Sequence, residues 1–185
     1  MSTAVLSRRP KATSKRPIHK LTIDSPLGAL FAAATDTGIC FLEFANDRPD
    51  VDIRFELQNL FGGEVDSDPN EHLSKLDSEL AGYFAGELKQ FSVPLELTGT
   101  PFQKRVWNEL LRIPYGETRS YEEIAVAIGQ PKAVRAVGAA NGRNHIGIVI
   151  PCHRVINKGG RLGGYGGGLD RKRFLLELEG VSYKS

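Results

Sequence analysis

Apolar residues in the first hundred positions come in short runs separated by turn residues, a pattern typical of a strand-rich region. Leu21 and Ile23 alternate with polar neighbours, and Gly28 and Gly38 lie in the turns that separate this run from the next two. Two stretches compatible with helices and a last apolar run follow. The pattern predicts a three-strand meander, two helices and a final strand, over residues 19–23, 29–34, 39–44, 50–61, 71–88 and 92–97.

After residue 98 the apolar residues follow helical spacing, and the ends of the predicted helices carry recognisable capping residues. Residues 100–103 and 120–123 each have the sequence of a capping box. Gly129 suits the end of the second helix, and a third helix is predicted after Pro131. The second and third helices, joined by a tight turn, are predicted to form a helix-turn-helix.

The second helix of this motif carries small residues where a reader of the DNA major groove would carry long polar side chains. The small residues are Ala136, Gly138, Ala139 and Ala140. They would let a backbone approach a groove without reading its sequence, and they would equally allow close packing of two helices. The residues alone leave both interpretations open.

The candidate chemistry follows this helix. The β-branched run Ile146–Ile150 predicts a buried strand that ends close to Cys152 and His153. A thiol becomes nucleophilic at neutral pH only beside a base, a cation or a helix N-terminus. Neighbouring side chains on a strand point to opposite faces, so contact between Cys152 and His153 requires a turn or a bridging water. An inert buried thiol is the alternative, and it is the interpretation for Cys40 among large apolar residues.

Two features near the C-terminal end complete the candidate site. Residues 163–168 read GGYGGG, which lacks the spacing of a nucleotide-binding fingerprint and predicts a flexible lid or pocket wall. A final helix over residues 170–179 carries Glu177 and Glu179 near its end, where the helix dipole disfavours negative charge. One of these carboxylates is therefore predicted to orient His153.

Composition narrows the class of protein. The 185 residues are 41% hydrophobic and 25% charged, typical of an ordinary globular protein with one large domain or two small ones. The longest apolar stretch, Ala29–Ala34, is too short to cross a bilayer, and the first residues lack a signal-peptide pattern, so we expect no membrane segment. Two cysteines and four histidines show neither a disulfide framework nor a zinc spacing, so we expect no metal.

The net charge of +2 conceals three regions of different charge. Residues 1–20 carry six Lys or Arg and no acid, residues 21–100 carry four bases and fifteen acids, and residues 101–185 carry fourteen bases and seven acids. The basic C-terminal region predicts an anionic partner, with nucleic acid the leading candidate and ordinary solvated charge the alternative. Residues 1–18 predict a disordered basic tail, for which a transit peptide is the alternative.

The segment Pro151-Cys152-His153-Arg154-Val155 resembles the active-site signature of the O6-alkylguanine-DNA alkyltransferases, or methylated-DNA–protein-cysteine methyltransferases. Other segments agree with this family in the same order, over about residues 98–180: Phe102–Trp107, Ile113-Pro114 with Gly116, Ser120-Tyr121, Arg135–Gly138, Asn144, and Leu175-Leu176 with Glu179. The resemblance implies an α+β protein. A ribonuclease-H-like α/β domain over residues 19–97 would precede a mostly helical domain with a helix-turn-helix, for DNA binding and alkyl transfer, over residues 98–185.

The resemblance also implies catalytic roles for five residues. Cys152 would take the alkyl group from guanine O6 irreversibly, so that each molecule acts once. His153 would act through a water as the base that forms the thiolate, with Glu179 holding its imidazole. Asn144 would link the recognition helix to the active-site strand. Tyr121 would help to rotate the nucleotide out of the duplex and then act at guanine N3.

Contacts with DNA and with the extruded base follow from the same resemblance. The implied DNA-binding residues are Tyr121, Lys132, Ala133, Arg135 and Arg143. Arg135 would enter the duplex and fill the space left by the flipped-out nucleotide. The backbone near Val155 would accept from the guanine amine, and the Tyr165 loop would cover the base. Gly166 would preserve a backbone N–H toward guanine O6 where some members of the family have serine.

The implied partner is double-stranded DNA that contains O6-alkylguanine, with O4-alkylthymine as a further candidate. We expect a monomer bound in the minor groove, with cooperative binding along DNA left open. We expect no cofactor and a cytoplasmic location, at the nucleoid in a bacterium or archaeon and in the nucleus of a eukaryote. Two other functions stay open from the residues: a Cys-His-Glu hydrolase or acyltransferase, and a non-enzymatic helix-turn-helix regulator.

Overall fold

The computed structural model describes residues 16–45, 49–66 and 68–184. In chain order its elements are β1 (Ile18–Ile23), β2 (Leu30–Thr35), β3 (Gly38–Phe44), α1 (Asp50–Phe61), β4 (Val65–Asp66), α2 (Glu71–Phe84), α3 (Pro101–Leu110), β5 (Arg119–Ser120), α4 (Tyr121–Ala127), α5 (Val134–Gly142), a 3-10 turn (Cys152–Arg154), β6 (Val155–Ile156) and α6 (Leu169–Leu178). Within these residues, no helix is long and apolar enough to span a bilayer. The predicted α+β class is confirmed.

The N-terminal part is built on a four-stranded sheet in the order β3-β2-β1-β4. The first three strands form the predicted antiparallel meander, and β4 joins β1 in parallel. Every residue of β2 is buried because helices cover both faces of the sheet. Alternate residues of this strand pack in two separate clusters: Phe31 and Ala33 contact the cluster of α1, while Leu30, Ala32 and Ala34 contact that of α2.

Three features differ from the sequence-based expectations. The helix predicted over residues 71–88 ends at Phe84. Ile18 is fully buried in β1 and pairs with Val65, so the first strand begins inside the range predicted as a tail. Residues 1–15, for which disorder was predicted, lie outside the described residues. The strand predicted over 92–97 is wrong, because Leu95 makes only one bridge with Ile39. Pro94 interrupts this segment, since it has no N–H to donate to a ladder.

The C-terminal part contains the predicted helices, and the predicted capping residues lie at the starts of α3 and α4 and at the end of α4, whereas α3 ends at Leu110, before the Pro114 and Gly116 that were expected to end it. Thr100 and Gln103 make both bonds of a capping box at the start of α3, and Ser120 and Glu123 do so at the start of α4. Gly129, with φ of +72°, ends α4. The helices α4 and α5 follow one another as the predicted helix-turn-helix and pack on α3. The capping residues therefore define these boundaries.

Candidate active site

Cys152 lies beyond a buried turn, so the strand predicted over Ile146–Ile150 is wrong. The N–H of Val149 donates to the carbonyl of Gly147 at 2.7 Å, and Ile148 between them has φ of +67°. This is a γ-turn of the strained type, and no other non-glycine residue in the described part of the chain has a positive φ. A β-branched run indicates burial, which a turn inside the protein satisfies as well as a strand does.

A second tight turn then brings the cysteine into place. The N–H of Cys152 donates to the carbonyl of Ile150 at 2.7 Å, across Pro151 with φ of −80° and ψ of 61°. These angles are those of an inverse γ-turn. The 3-10 turn over Cys152–Arg154 follows directly. The sequence predicted that contact between Cys152 and His153 requires a turn or a bridging water. The structure has such a turn at Cys152.

The thiol of Cys152 is buried, and polar groups surround it. Its exposed fraction is 6%, and the amide Nδ2 of Asn144 donates to Sγ at 3.1 Å and to the carbonyl of Ile150 at 2.9 Å. Burial raises the pKa of this thiol, while the Asn144 hydrogen bond and the charge of Lys172 lower it in part. The thiol is therefore protonated at neutral pH. Asn144 follows α5 directly, so this contact joins the helix-turn-helix to the cysteine.

The imidazole of His153 contacts Glu179 and not Glu177. Its Nε2 lies 2.8 Å from Oε1 of Glu179, and both side chains have no exposed surface. Glu177 is exposed and accepts instead from the hydroxyl of Tyr183. Burial lowers the pKa of His153 although Glu179 opposes this shift, so the imidazole is neutral. With its proton on Nε2, it keeps a lone pair on Nδ1, which has no hydrogen-bond partner among the described residues.

Glu179 also forms a buried ion pair that sequence reasoning missed. Arg154 donates from Nε to Oε2 at 2.9 Å and from Nη2 to Oε1 at 3.0 Å. Burial alone would raise the pKa of Glu179, but hydrogen bonds and charge from His153 and Arg154 lower it to about 2. Arg154 lies in the segment Pro151–Val155 that resembles the family signature. Its neighbours along the chain do not indicate that it pairs with Glu179 at the end of α6.

Lys172 is a second functional candidate that was missed. Its ammonium group is fully buried and donates to the carbonyls of Val155 at 2.6 Å and Gly163 at 3.2 Å. Burial lowers its pKa to about 8, although the neighbouring Cys152 opposes this shift. Lys172 and Glu179 stand seven positions apart on the buried stripe of α6, with Leu175 between them. That spacing is the signal that identifies both as inward-facing.

A cavity of about 510 Å³ opens at Cys152. This size lies within the usual range for small-molecule sites. Tyr165 and Gly166 of the glycine-rich segment line the cavity as expected, but Val155 does not. Further lining residues include Leu42, Phe44, Asn141, Asn144, Ile148, Gly167 and Arg171. The glycine-rich segment is therefore a wall of this cavity.

Four of the residues predicted to contact DNA lie on α5 or next to it in the chain. Lys132, Arg135 and Arg143 are exposed, and Ala133 is half-buried. Among the small residues of α5, Ala136 and Ala139 are exposed while Ala140 is buried. Close helix packing therefore accounts for Ala140 but leaves the first two on a free surface. The exposure of Ala136 and Ala139 favours close approach of α5 to a DNA groove at these two positions over packing against another helix.

Tyr121, the first residue of α4, lies next to the glycine-rich segment and to α5. A Cβ added to Gly163 would lie 2.8 Å from its hydroxyl, and its ring lies 3.9 Å from a Cβ added to Gly138. Burial and the nearby Cys152 raise the pKa of the phenol, which is therefore protonated. Tyr121 thus lies near both the cysteine and the predicted DNA surface.

Comparisons with known proteins identify the family. The family model described as "6-O-methylguanine DNA methyltransferase, DNA binding domain" matches residues 101–181, and the model for the ribonuclease-like domain of the same family matches residues 18–97. The chain belongs to the 6-O-methylguanine DNA methyltransferase family. The predicted ribonuclease-like fold of the N-terminal domain and the DNA-binding character of the C-terminal domain are confirmed.

Similar proteins carry the corresponding name. The methylated-DNA–protein-cysteine methyltransferase of Mycobacterium tuberculosis (strain H37Rv) is 51% identical over 164 residues, which cover 88% of this chain and 92% of that protein. The constitutive enzyme of Bacillus subtilis is 49% identical, with 88% and 96% covered. The crystal structure of Mycobacterium tuberculosis OGT in complex with DNA has a TM-score of 0.73 and 48% identity, with 88% and 92% covered. This family member therefore binds DNA and repairs it by transferring alkyl groups from methylated DNA to a protein cysteine.

Proposed function

We propose that Cys152 is the acceptor and that the base it acts on is O6-alkylguanine in double-stranded DNA. Its Sγ attacks the alkyl carbon attached to guanine O6, so a sulfur–carbon bond forms as the oxygen–carbon bond breaks. The position of Cys152 at the cavity, beside Asn144, supports this role. The product is a thioether, which water does not cleave, so each protein molecule reacts once.

The protons balance within the site. His153 takes the thiol proton through a bridging water at Nδ1, while its Nε2–H bond to Glu179 fixes the tautomer. Tyr121, whose phenol is protonated, donates toward guanine N3 as the base leaves. The Tyr121 phenolate then regains a proton, through solvent, from the protonated His153, so the thiol hydrogen is transferred to the purine in the net reaction. This balance uses no oxidant, reductant or cofactor.

Access of the reacting atom to Cys152 requires the nucleotide to leave the base stack. Arg135, exposed on α5, fills the space in the duplex, and Lys132, Ala133 and Arg143 contact the backbone around it. The exposed Ala136 supports approach without sequence readout. Val155 is fully buried and does not line the cavity, and its carbonyl accepts from Lys172, so the geometry does not support the expected contact with the guanine amine.

The observation that carries the proposal is the buried contact between His153 and Glu179 next to a cysteine that borders a cavity. Intact-protein mass spectrometry after incubation with O6-methylguanine DNA tests it directly. We expect a gain of one methyl group, mapped by peptide analysis to Cys152 and absent from Cys40. Repeated turnover on an ester, with no stable adduct, would indicate the hydrolase instead. The monomeric state and the cytoplasmic location stay predictions.

The role of Arg135 is tested by comparing the rate of alkyl transfer from duplex DNA with the rate of transfer from a free base. Because extrusion of a base costs a few kcal/mol, we expect Arg135→Ala to slow transfer from duplex O6-methylguanine at least about tenfold at saturating DNA. Reaction with free O6-benzylguanine should stay near the wild-type rate. The comparison variant Lys132→Ala should mainly weaken binding and change the salt slope by about one unit. Equal losses of Arg135→Ala on both substrates would assign Arg135 to the fold instead.

A further inference from the structure

The carboxylate of Glu179 receives hydrogen bonds from both domains. Its Oε1 accepts from His153 at 2.8 Å and from Arg154 at 3.0 Å, and also from the hydroxyl of Tyr83 at 2.6 Å. Tyr83 lies on α2, 96 residues away in the chain, within the segment matched by the ribonuclease-like family model. The N-terminal domain therefore contacts the carboxylate that holds His153.

Tyr83 acts only as a donor in this contact, and its ring is fixed. Its side chain is fully buried, and burial together with the charge of Glu179 keeps the pKa of the phenol far above its ordinary value. Phe84, Phe91 and Tyr115 surround the ring at centroid distances of 5.5, 5.4 and 6.1 Å. Displacement of the hydroxyl oxygen away from Glu179 would require these rings to repack.

We propose that Tyr83 is a positioning residue for alkyl transfer, through which the N-terminal domain sets the orientation and acceptor strength of Glu179 Oε1 toward His153. The inference rests on the proposed roles of Cys152 and His153. A carboxylate whose charge is shared among more donors stabilises a neighbouring imidazolium less. The Tyr83 bond therefore favours the neutral imidazole, which is the form that can accept a proton.

Among the described residues, the titratable and charged groups that face this pair are Arg154, Lys172, Tyr83 and Tyr115. Among them, Tyr115 provides a matched control. Its hydroxyl donates to the backbone carbonyl of Leu178 at 2.9 Å and not to the carboxylate of Glu179. Tyr115→Phe thus removes one half-buried hydroxyl beside α6 and leaves the donors to Glu179 unchanged. Tyr83→Phe, in contrast, removes one of the donors to Glu179.

The test measures single-turnover methyl transfer from O6-methylguanine DNA at saturating DNA across neutral pH, together with the ¹⁵N shifts of the His153 imidazole. Loss of the Tyr83 donor strengthens the pull of Glu179 on the imidazolium and so raises the pKa of His153. For Tyr83→Phe we expect the rising limb of the rate profile to move up by about 0.5 pH unit, so that the rate below its midpoint falls about threefold. The plateau at high pH should change little, and Tyr115→Phe should match the wild type.

Equal midpoints for the wild type, Tyr83→Phe and Tyr115→Phe would overturn the inference. Failure of the proposed function is distinguishable, because His153→Gln would then leave the pH profile unchanged. If urea unfolding shows that Tyr83→Phe does not fold, a ring-fluorinated tyrosine introduced at position 83 keeps the shape and donates more strongly. It should move the midpoint to lower pH, and an unmoved midpoint in that protein would also contradict the role of Tyr83.

Discussion

The two cysteines are buried to nearly the same extent, but their surroundings differ. Cys40 on β3 is 3% exposed and Cys152 is 6% exposed. Burial raises the pKa of both thiols, and the charge of Glu96 contributes further at Cys40, to about 12. At Cys152, the amide of Asn144 and the charge of Lys172 oppose the effect of burial. Of the two thiols, Cys152 therefore has a side-chain amide and a positive charge in place to stabilise a thiolate, whereas Cys40 has backbone hydrogen bonds for this.

The space beside each thiol differs as well. Cys40 packs in the cluster between the sheet and α1, and the void next to it measures about 10 Å³. A void of that size holds no more than about one water. Cys152 borders the cavity of about 510 Å³. Burial alone thus says little about the reactivity of a thiol, which depends on its polar partners and on room for a substrate.

The largest effect is expected for Cys152→Ser. A hydroxyl is a far weaker nucleophile than a thiolate at neutral pH, while the serine is nearly isosteric. We expect no detectable methyl transfer and nearly unchanged DNA binding, measured by mass spectrometry and by a gel-shift titration. Transfer near the wild-type rate would move the reaction to another residue.

Glu179→Gln is expected to slow methyl transfer, because a neutral amide stabilises the imidazolium of His153 poorly, and also to destabilise the fold. The substitution leaves Arg154 buried without its charge partner, which costs about 3–5 kcal/mol of unfolding free energy. The folded-state pKa of Glu179 is about 2 and its ordinary value is 4.5, so its stabilisation is complete above about pH 4.5 and is lost as pH falls toward 2. Urea unfolding should show a smaller difference from the wild type in acid than at neutral pH.

The exposed neighbour supplies the control for that experiment. Glu177→Gln should change the unfolding free energy by less than about 0.5 kcal/mol and leave transfer unchanged. If Glu177→Gln slowed transfer as much as Glu179→Gln, the assignment of His153 to Glu179 would fail.

Lys172→Met tests whether the positive charge near Cys152, which Cys40 lacks, makes its thiol more acidic. The substitution removes a positive charge beside Cys152 and leaves an apolar chain of similar length. We expect the pKa of the thiol to rise and its alkylation by free O6-benzylguanine to slow about threefold at neutral pH, with the rate at Cys40 unchanged. Because the pKa of Lys172 is about 8, the difference from the wild type should shrink above that pH. A difference that is constant with pH would indicate lost packing of the glycine-rich segment instead.

Of the substitutions at the two cysteines, Cys40→Ala is expected to have the smaller effect. Removal of one buried sulfur costs about 1 kcal/mol of unfolding free energy by urea titration. Single-turnover transfer should equal that of the wild type. A loss of transfer without a loss of stability would show that the N-terminal thiol takes part in the chemistry.

Local patterns predicted much of the fold. The meander, the two capping boxes and the end of α4 at Gly129 depend on residues close in sequence, so alternation and capping residues are sufficient to locate them. The segment Ile146–Ile150 was misassigned because its apolar run reports burial without reporting backbone conformation. The positive φ of Ile148 depends on tertiary packing around it.

The sequence by itself determined the two-part organisation, the helix-turn-helix and the candidates Cys152, His153 and Glu179. It left open which glutamate meets His153, whether the cysteine is inert, and why α5 carries small residues. Only the tertiary structure placed Arg154, Lys172 and Tyr83 around these groups. The reason is physical: a hydrogen bond between Tyr83 and Glu179 joins positions 96 residues apart. Periodicity reports which face of an element is buried, whereas packing between elements decides which buried polar groups meet.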